Sequence, residues 1–166
     1  MTKKLLSACL LTSALLTACG NTNEADVEGC EHLKEGPSAA VTATVPPTDN
    51  APPVPAVSND HKRYDITLPA GTGGTTGNVG SVSFAVSEPS DFVLFLGTNV
   101  PVKVTRAGAE VAFEETATSS EECGEVKGRY VVPLQVGTYT LTFGPTSQAN
   151  VSLVIEETAH DEEHEH

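Results

Sequence analysis

The sequence predicts an all-β fold, a jelly-roll-like antiparallel β-sandwich of about eight strands. Three observations predict it. From Tyr64 onward apolar and polar residues alternate with period two, the alternating runs are punctuated by Gly, Pro, Asn or charge clusters, and no stretch of 61–156 carries a helical period. The candidate strands are 63–68, 80–87, 91–96, 100–106, 109–114, 128–134, 138–143 and 149–155. Their inward positions follow from the alternation. They are Tyr64, Ile66 and Leu68; Val82, Phe84 and Val86; Val102 and Val104; Val111 and Phe113; Tyr130, Val132 and Leu134; Tyr139, Leu141 and Phe143; and Val151, Leu153 and Ile155. The stretch 91–96 breaks the pattern, because Phe92, Val93, Leu94, Phe95 and Leu96 are apolar without alternation. Such a run predicts a central strand covered on both faces. Residues 63–156 suffice for one core and leave no room for a second domain.

The N-terminus has a different character. Lys3 and Lys4 precede an apolar run over 5–16, the basic and apolar regions of an export signal. The run falls well short of the roughly 20 residues that a helix needs to cross a bilayer. It ends in Leu16-Thr17-Ala18-Cys19-Gly20, which resembles the bacterial lipobox. The resemblance implies that residues 1–18 are removed and that Cys19 is lipidated, its acyl chains of the palmitate type holding the protein in a membrane. At ~0.8 kcal/mol per buried methylene, two or three chains give lasting anchorage. An ordinary secretory signal would instead leave Cys19 as a free thiol. Gly20 and Asn21 follow the cysteine where an Asp would signal inner-membrane retention. The resemblance therefore implies the outer membrane, facing the periplasm or the cell surface.

Loss of residues 1–18 removes two lysines and no acid, taking the net charge from −13 to −15. A surface this acidic disfavours nucleic acid as a partner and attracts cations. Met1 is the only methionine, so the mature chain has no thioether to offer copper(I). Cys9 lies in the signal and Cys19 is committed to lipid, which leaves Cys30 and Cys123. In an oxidising compartment the simplest reading of such a pair is a disulfide. The alternative makes Cys30, His32 and Cys123 metal ligands, Cys30-Glu31-His32 being a ligand-rich tripeptide. Between residues 36 and 60 lie six of the eleven prolines. That composition predicts a semi-extended spacer, roughly 3.1 Å per residue, with neither helix nor inner strand. A disulfide from Cys30 to Cys123 would force the spacer back along the domain. The chain thus divides into a signal (1–18), a lipidated segment with Pro-rich linker (19–62), a sandwich (63–156) and a tail (157–166).

Three segments carry a further resemblance: Tyr64-Asp65-Ile66-Thr67-Leu68-Pro69-Ala70-Gly71, Ser90-Asp91-Phe92-Val93-Leu94-Phe95-Leu96, and Val136-Gly137-Thr138-Tyr139-Thr140-Leu141-Thr142-Phe143. Together they resemble the bacterial pre-peptidase C-terminal domain, a jelly-roll-like sandwich, over about 63–156. A final strand of Tyr-Thr-Leu type in that family is replaced here by Val151-Ser152-Leu153-Val154-Ile155. The resemblance implies a non-catalytic accessory module that binds a polymer or a partner protein of the cell envelope. Some such modules bind calcium, but no strand-connecting loop here carries a matching run of acidic ligands.

The tail His160-Asp161-Glu162-Glu163-His164-Glu165-His166 interleaves imidazoles with carboxylates. That donor set suits zinc, nickel or copper(II). The candidate metal ligands are His160, His164, His166, Asp161 and Glu163, with His61 and His32, the only other histidines, in the segments before the sandwich. The competing reading of the tail is a solvated acidic terminus. If the first and last strands are neighbours, His61 and the tail could approach each other. Residues 114–127 read as a solvated acidic loop pinned by Cys123, and 71–77 as a Gly-rich turn without the lysine or helix of a phosphate loop. Histidine is absent from 62–159, so no nucleophile has a base in the sandwich and enzymatic activity is not expected. The expected function is binding or buffering of a divalent transition metal, zinc first, by an envelope lipoprotein through its His-rich C-terminal tail. The alternative is the interaction module.

Overall fold

The computed structural model describes residues 22–46 and 53–158, so the signal, Cys19 and the tail residues His160 to His166 lie outside the described residues. The elements run α1 (Thr22–Glu35), β1 (Ser38–Thr42), β2 (Ala56–Val57), β3 (Arg63–Thr67), β4 (Asn78–Val86), β5 (Ser90–Leu96), β6 (Val102–Arg106), β7 (Ala109–Val111), β8 (Glu115–Ala117), β9 (Gly128–Leu134), β10 (Gly137–Thr146) and β11 (Asn150–Glu157). They form two packed sheets, β1-β3-β11-β5-β9-β8 and β2-β4-β10-β6-β7. The fold is therefore a β-sandwich with one helix.

The inward positions read from the alternation are buried, except Val111, Phe113 and Tyr130, which pack half-buried against the same core. Period-two patterning works here because each of these strands has one face on the core and one turned away from it. The non-alternating strand β5 is central, paired antiparallel with β11 and β9, and Phe92 to Leu96 are all buried.

Three features differ from the sequence expectation. Each of the eight expected stretches contains a strand, but β1, β2 and β8 bring the number among the described residues to eleven. The sheets are mixed, because β1 pairs parallel with β3 and β2 parallel with β4. Both parallel strands come from the Pro-rich stretch, which is folded back onto the sandwich where a spacer was expected. An edge strand needs hydrogen bonds on one side only, so prolines exclude it from the sheet interior but not from the edge. Pro37 and Pro46 bound a run in which Ala39 and Val41 reach the core.

The third difference is α1, unanticipated in the lipidated segment. Its buried stripe is Ala25, Gly29, Cys30 and Leu33, at helical spacing, and it covers the outer face of the first sheet. There it meets Val93 and Phe95 of β5, Val131 of β9 and Val154 of β11 in a second apolar cluster. Polar contacts fix the docking. Asp26 accepts from Arg129 Nε at 2.7 Å and from Ser120 Oγ at 2.9 Å, while Arg63 donates to the Leu33 carbonyl near the helix end at 2.9 Å. Cys30 forms a disulfide with Cys123 across a Cα separation of 5.5 Å and 93 residues. Closing a loop of that length contributes ~4 to 5 kcal/mol in the chain-entropy account.

Candidate metal centre

Glu156 is the centre of the site. The alternation of β11 turns Val151, Leu153 and Ile155 to the main core, so Val154 and Glu156 face α1. A helix lying over that face leaves Glu156 only 1% exposed. A carboxylate so far from water needs donors. Two histidines supply them. His32, on the last turns of α1, places Nδ1 2.6 Å from Glu156 Oε1, and His61, from the turn before β3, places Nδ1 3.2 Å from Oε2. The imidazole centroids are 5.4 Å apart with planes inclined by 54°. One donor atom from each of the three residues lies within 4.8 Å of the others.

The turn that presents His61 is held from within. The Tyr64 hydroxyl accepts from the Ser58 backbone N–H at 3.1 Å and donates to Asp60 Oδ1 at 2.8 Å, cross-linking the two sides of 58–64. Lys62 closes on Asp60 at 2.6 Å. His61 itself has a left-handed backbone, φ 54°, a conformation that turns of this kind demand and that histidine adopts more readily than most side chains.

Burial pushes the Glu156 carboxyl above its ordinary 4.5, against the hydrogen bond from His32 and the charges of His32 and His61, with Glu28 adding to the upward push. A divalent cation would offset the carboxylate's charge, and two nitrogens plus one carboxylate oxygen are a donor set that zinc, nickel and copper(II) accept. With bonds of about 2.0 to 2.2 Å, tetrahedral ligands stand roughly 3.3 Å apart. His61 Nδ1 stands near that spacing from Oε2 and His32 Nδ1 stands closer, to the other oxygen Oε1, so binding through a single carboxylate oxygen calls for a small rearrangement of the imidazoles about it. His61 is 65% exposed at its side chain and His32 18%, so an ion can enter from the histidine side while Glu156 forms the floor. Three protein ligands leave a fourth position for water or an exchanging ligand.

Compared with known protein families and with curated proteins, the chain matches none. The chemistry of the site is therefore read from its geometry alone.

Of the ligands named from the sequence, His32 and His61 come together. The sequence left open whether His61 would approach the end of the last strand. It does so through Glu156, because β3 and β11 are neighbours. His160, Asp161, Glu163, His164 and His166 lie outside the described residues. The cysteines do not join His32. Cys30 and Cys123 are bonded to each other, beside Glu125 at 3.3 Å from Cys123 Sγ. Glu156 was not anticipated, since a glutamate at an outward strand position normally reads as solvated. The one signal for it was the apolar Val154 on the same outward face, which implied a cover.

Proposed function

We propose that this chain is a lipid-anchored envelope protein that captures a divalent transition metal, zinc foremost, in the site formed by His32, His61 and Glu156. The observation that carries the reading is the convergence of two imidazoles, from α1 and from the turn before β3, on one carboxylate buried to 1% exposure. Capture rather than catalysis fits a site whose titratable groups are all used as ligands. The net charge of −13 on the whole chain concentrates cations around it. The tail, whose first histidine is four positions after Glu156, supplies weaker outer ligands that feed the ion inward. The lipobox-like signal supports a position at the envelope, in the outer membrane, where the ion can be buffered or passed to an envelope partner. The resemblance to the jelly-roll-like pre-peptidase C-terminal module agrees with a non-catalytic role.

The test is zinc titration of the mature, oxidised protein, carried out without an affinity tag and against a chromophoric chelator. One ion is expected to bind tightly. His61→Ala should weaken that ion by more than about tenfold, since even partners outside the ligand shell are worth 10 to 100-fold. Deleting residues 159–166 should leave it bound. Binding no tighter than on the order of 100 µM in the intact protein would rule the reading out.

A further inference from the structure

α1 carries one partner of the disulfide and one ligand of the metal site, two residues apart. At about 100° per residue, Cys30 and His32 lie roughly 200° apart around the helix axis. The stripe of Ala25, Gly29 and Leu33 runs between them against the sheet. On one flank Cys30 is bonded to Cys123 and Asp26 is held by Arg129. On the other flank His32 reaches Glu156. A helix of 14 residues is marginal by itself in water, and an apolar stripe led by one alanine and one leucine adds little. Where His32 stands thus depends on the opposite flank together with the Arg63 bond to the Leu33 carbonyl and the entry of the chain into β1.

We infer that the Cys30–Cys123 disulfide governs the affinity of the His32–His61–Glu156 site, so that reduction releases the ion and bound ion protects the disulfide. This rests on the metal-binding reading above. Cys30 acts as a positioning residue, two positions from the ligand. The reductant is a dithiol. Its thiolate attacks one sulfur of the pair, giving a mixed disulfide, and its second thiol then resolves that bond. The Cys30–Cys123 bond is broken by the two electrons the dithiol supplies. The dithiol leaves as a disulfide, and its two protons end on Cys30 and Cys123. Cys30, itself 7% exposed, lines a surface groove with Val27, Lys34 and Glu122, the side from which a reductant would reach the bond. Once the bond is cut, α1 loses its cross-link through Cys123 and stays tied to the sandwich through the chain into β1 and the Arg63 bond to the Leu33 carbonyl, and holding His32 over Glu156 gains an entropic cost of binding.

Linkage makes the effect reciprocal, since whatever factor the disulfide contributes to metal affinity, the metal returns to the disulfide. The sign separates this from the other chemistry available. Reduced Cys30 and Cys123, with Glu125 beside them, form a potential thiolate site of their own. A metal taken there would favour the dithiol form.

Two measurements test the coupling. Zinc affinity of the oxidised wild type is compared with that of the double variant Cys30→Ser, Cys123→Ser, which has neither the bond nor thiolates. A loss of about fivefold or more is expected. The wild type is also equilibrated in a defined dithiol and disulfide buffer with and without zinc, and the oxidised fraction is read by thiol alkylation. Zinc is expected to raise that fraction. Equal affinities in the first measurement, or a zinc-driven shift toward the dithiol in the second, overturn the coupling while leaving metal binding intact. If the double variant does not fold, the second measurement decides on the wild type alone. Failure of the oxidised wild type to bind zinc removes both readings, and is thereby told apart from failure of the coupling.

Discussion

Glu156 shows how a single residue can work against the fold it sits in. Burial raises its carboxyl above the ordinary value of 4.5, despite the two imidazoles that face it. A carboxyl raised in the folded state binds its proton more tightly there than in the unfolded chain. Stability from this group is therefore fully present below the unfolded value and is lost as pH rises through the higher folded one. At neutral pH, without metal, Glu156 detracts from stability. Glu156→Gln keeps the shape and an acceptor and removes the charge. Its metal-free melting midpoint near neutral pH is expected to equal or exceed that of the wild type by up to about 2 to 4 °C, and the difference should shrink as the pH falls toward 4.5. Zinc should raise the wild-type midpoint by mass action and leave the variant's unchanged. A variant that melts lower and still responds to zinc would mean that the triad serves only to hold α1 and the turn before β3 together.

At the scale of elements, α1 decides both the site and how much of it could be read in advance. Gly29 faces the Phe95 ring so closely that a Cβ there would overlap ring carbons Cδ2 and Cε2. Phe95 is completely buried in the central strand, so its ring cannot swing out to solvent without disturbing its packing. Gly29→Val is expected to cost about 1 to 3 kcal/mol of overpacking, against a helix-propensity gain of only a few tenths. It should lower the urea midpoint and also weaken zinc, because lifting α1 lifts His32. Normal zinc affinity in a destabilised variant would separate helix docking from the site. Eight of the eleven strands among the described residues were legible, most because one face on a core writes period two into the sequence and β5 because its unbroken apolar run marks a strand covered on both faces, whereas β1, β2 and β8 left no such pattern. The helix was not legible, because Ala25, Gly29, Cys30 and Leu33 form a stripe too small and too weakly apolar to stand out among five acidic residues. Its trace lay instead in what it covers. Phe92 to Leu96 without alternation, and Val154 at an outward position, already required a second layer over the first sheet. His32 and His61 were legible as ligand types, while their meeting at Glu156 depended on that layer.

For the whole molecule, folding of the Pro-rich stretch onto the sandwich changes where the domain would stand relative to a membrane under the proposed lipid anchor. α1 begins at Thr22, three residues after Cys19. Three residues span at most about 11 Å, and His32 lies ten residues into the helix, roughly 15 Å further on. A lipid on Cys19 would therefore hold the metal site within roughly 25 Å of the bilayer surface, with no stalk between them. That suits exchange with a membrane-embedded partner. Among the described residues no helix is long and apolar enough to cross a membrane, and the apolar stripe of α1 is spent on the sheet. Under the proposed anchoring, acyl chains on Cys19 would contribute ~0.8 kcal/mol per buried methylene to membrane attachment. Cys19→Ser is expected to shift the protein from the membrane fraction to the soluble fraction, or to leave it as an unprocessed precursor of higher mass. The released form should keep its disulfide and bind zinc as the anchored form does, since neither depends on Cys19. Immunoblotting of separated fractions, with intact-mass measurement of the product, checks both parts. A Cys19→Ser product of mature mass that stays with the membrane would show that the anchor is not a lipid on this residue.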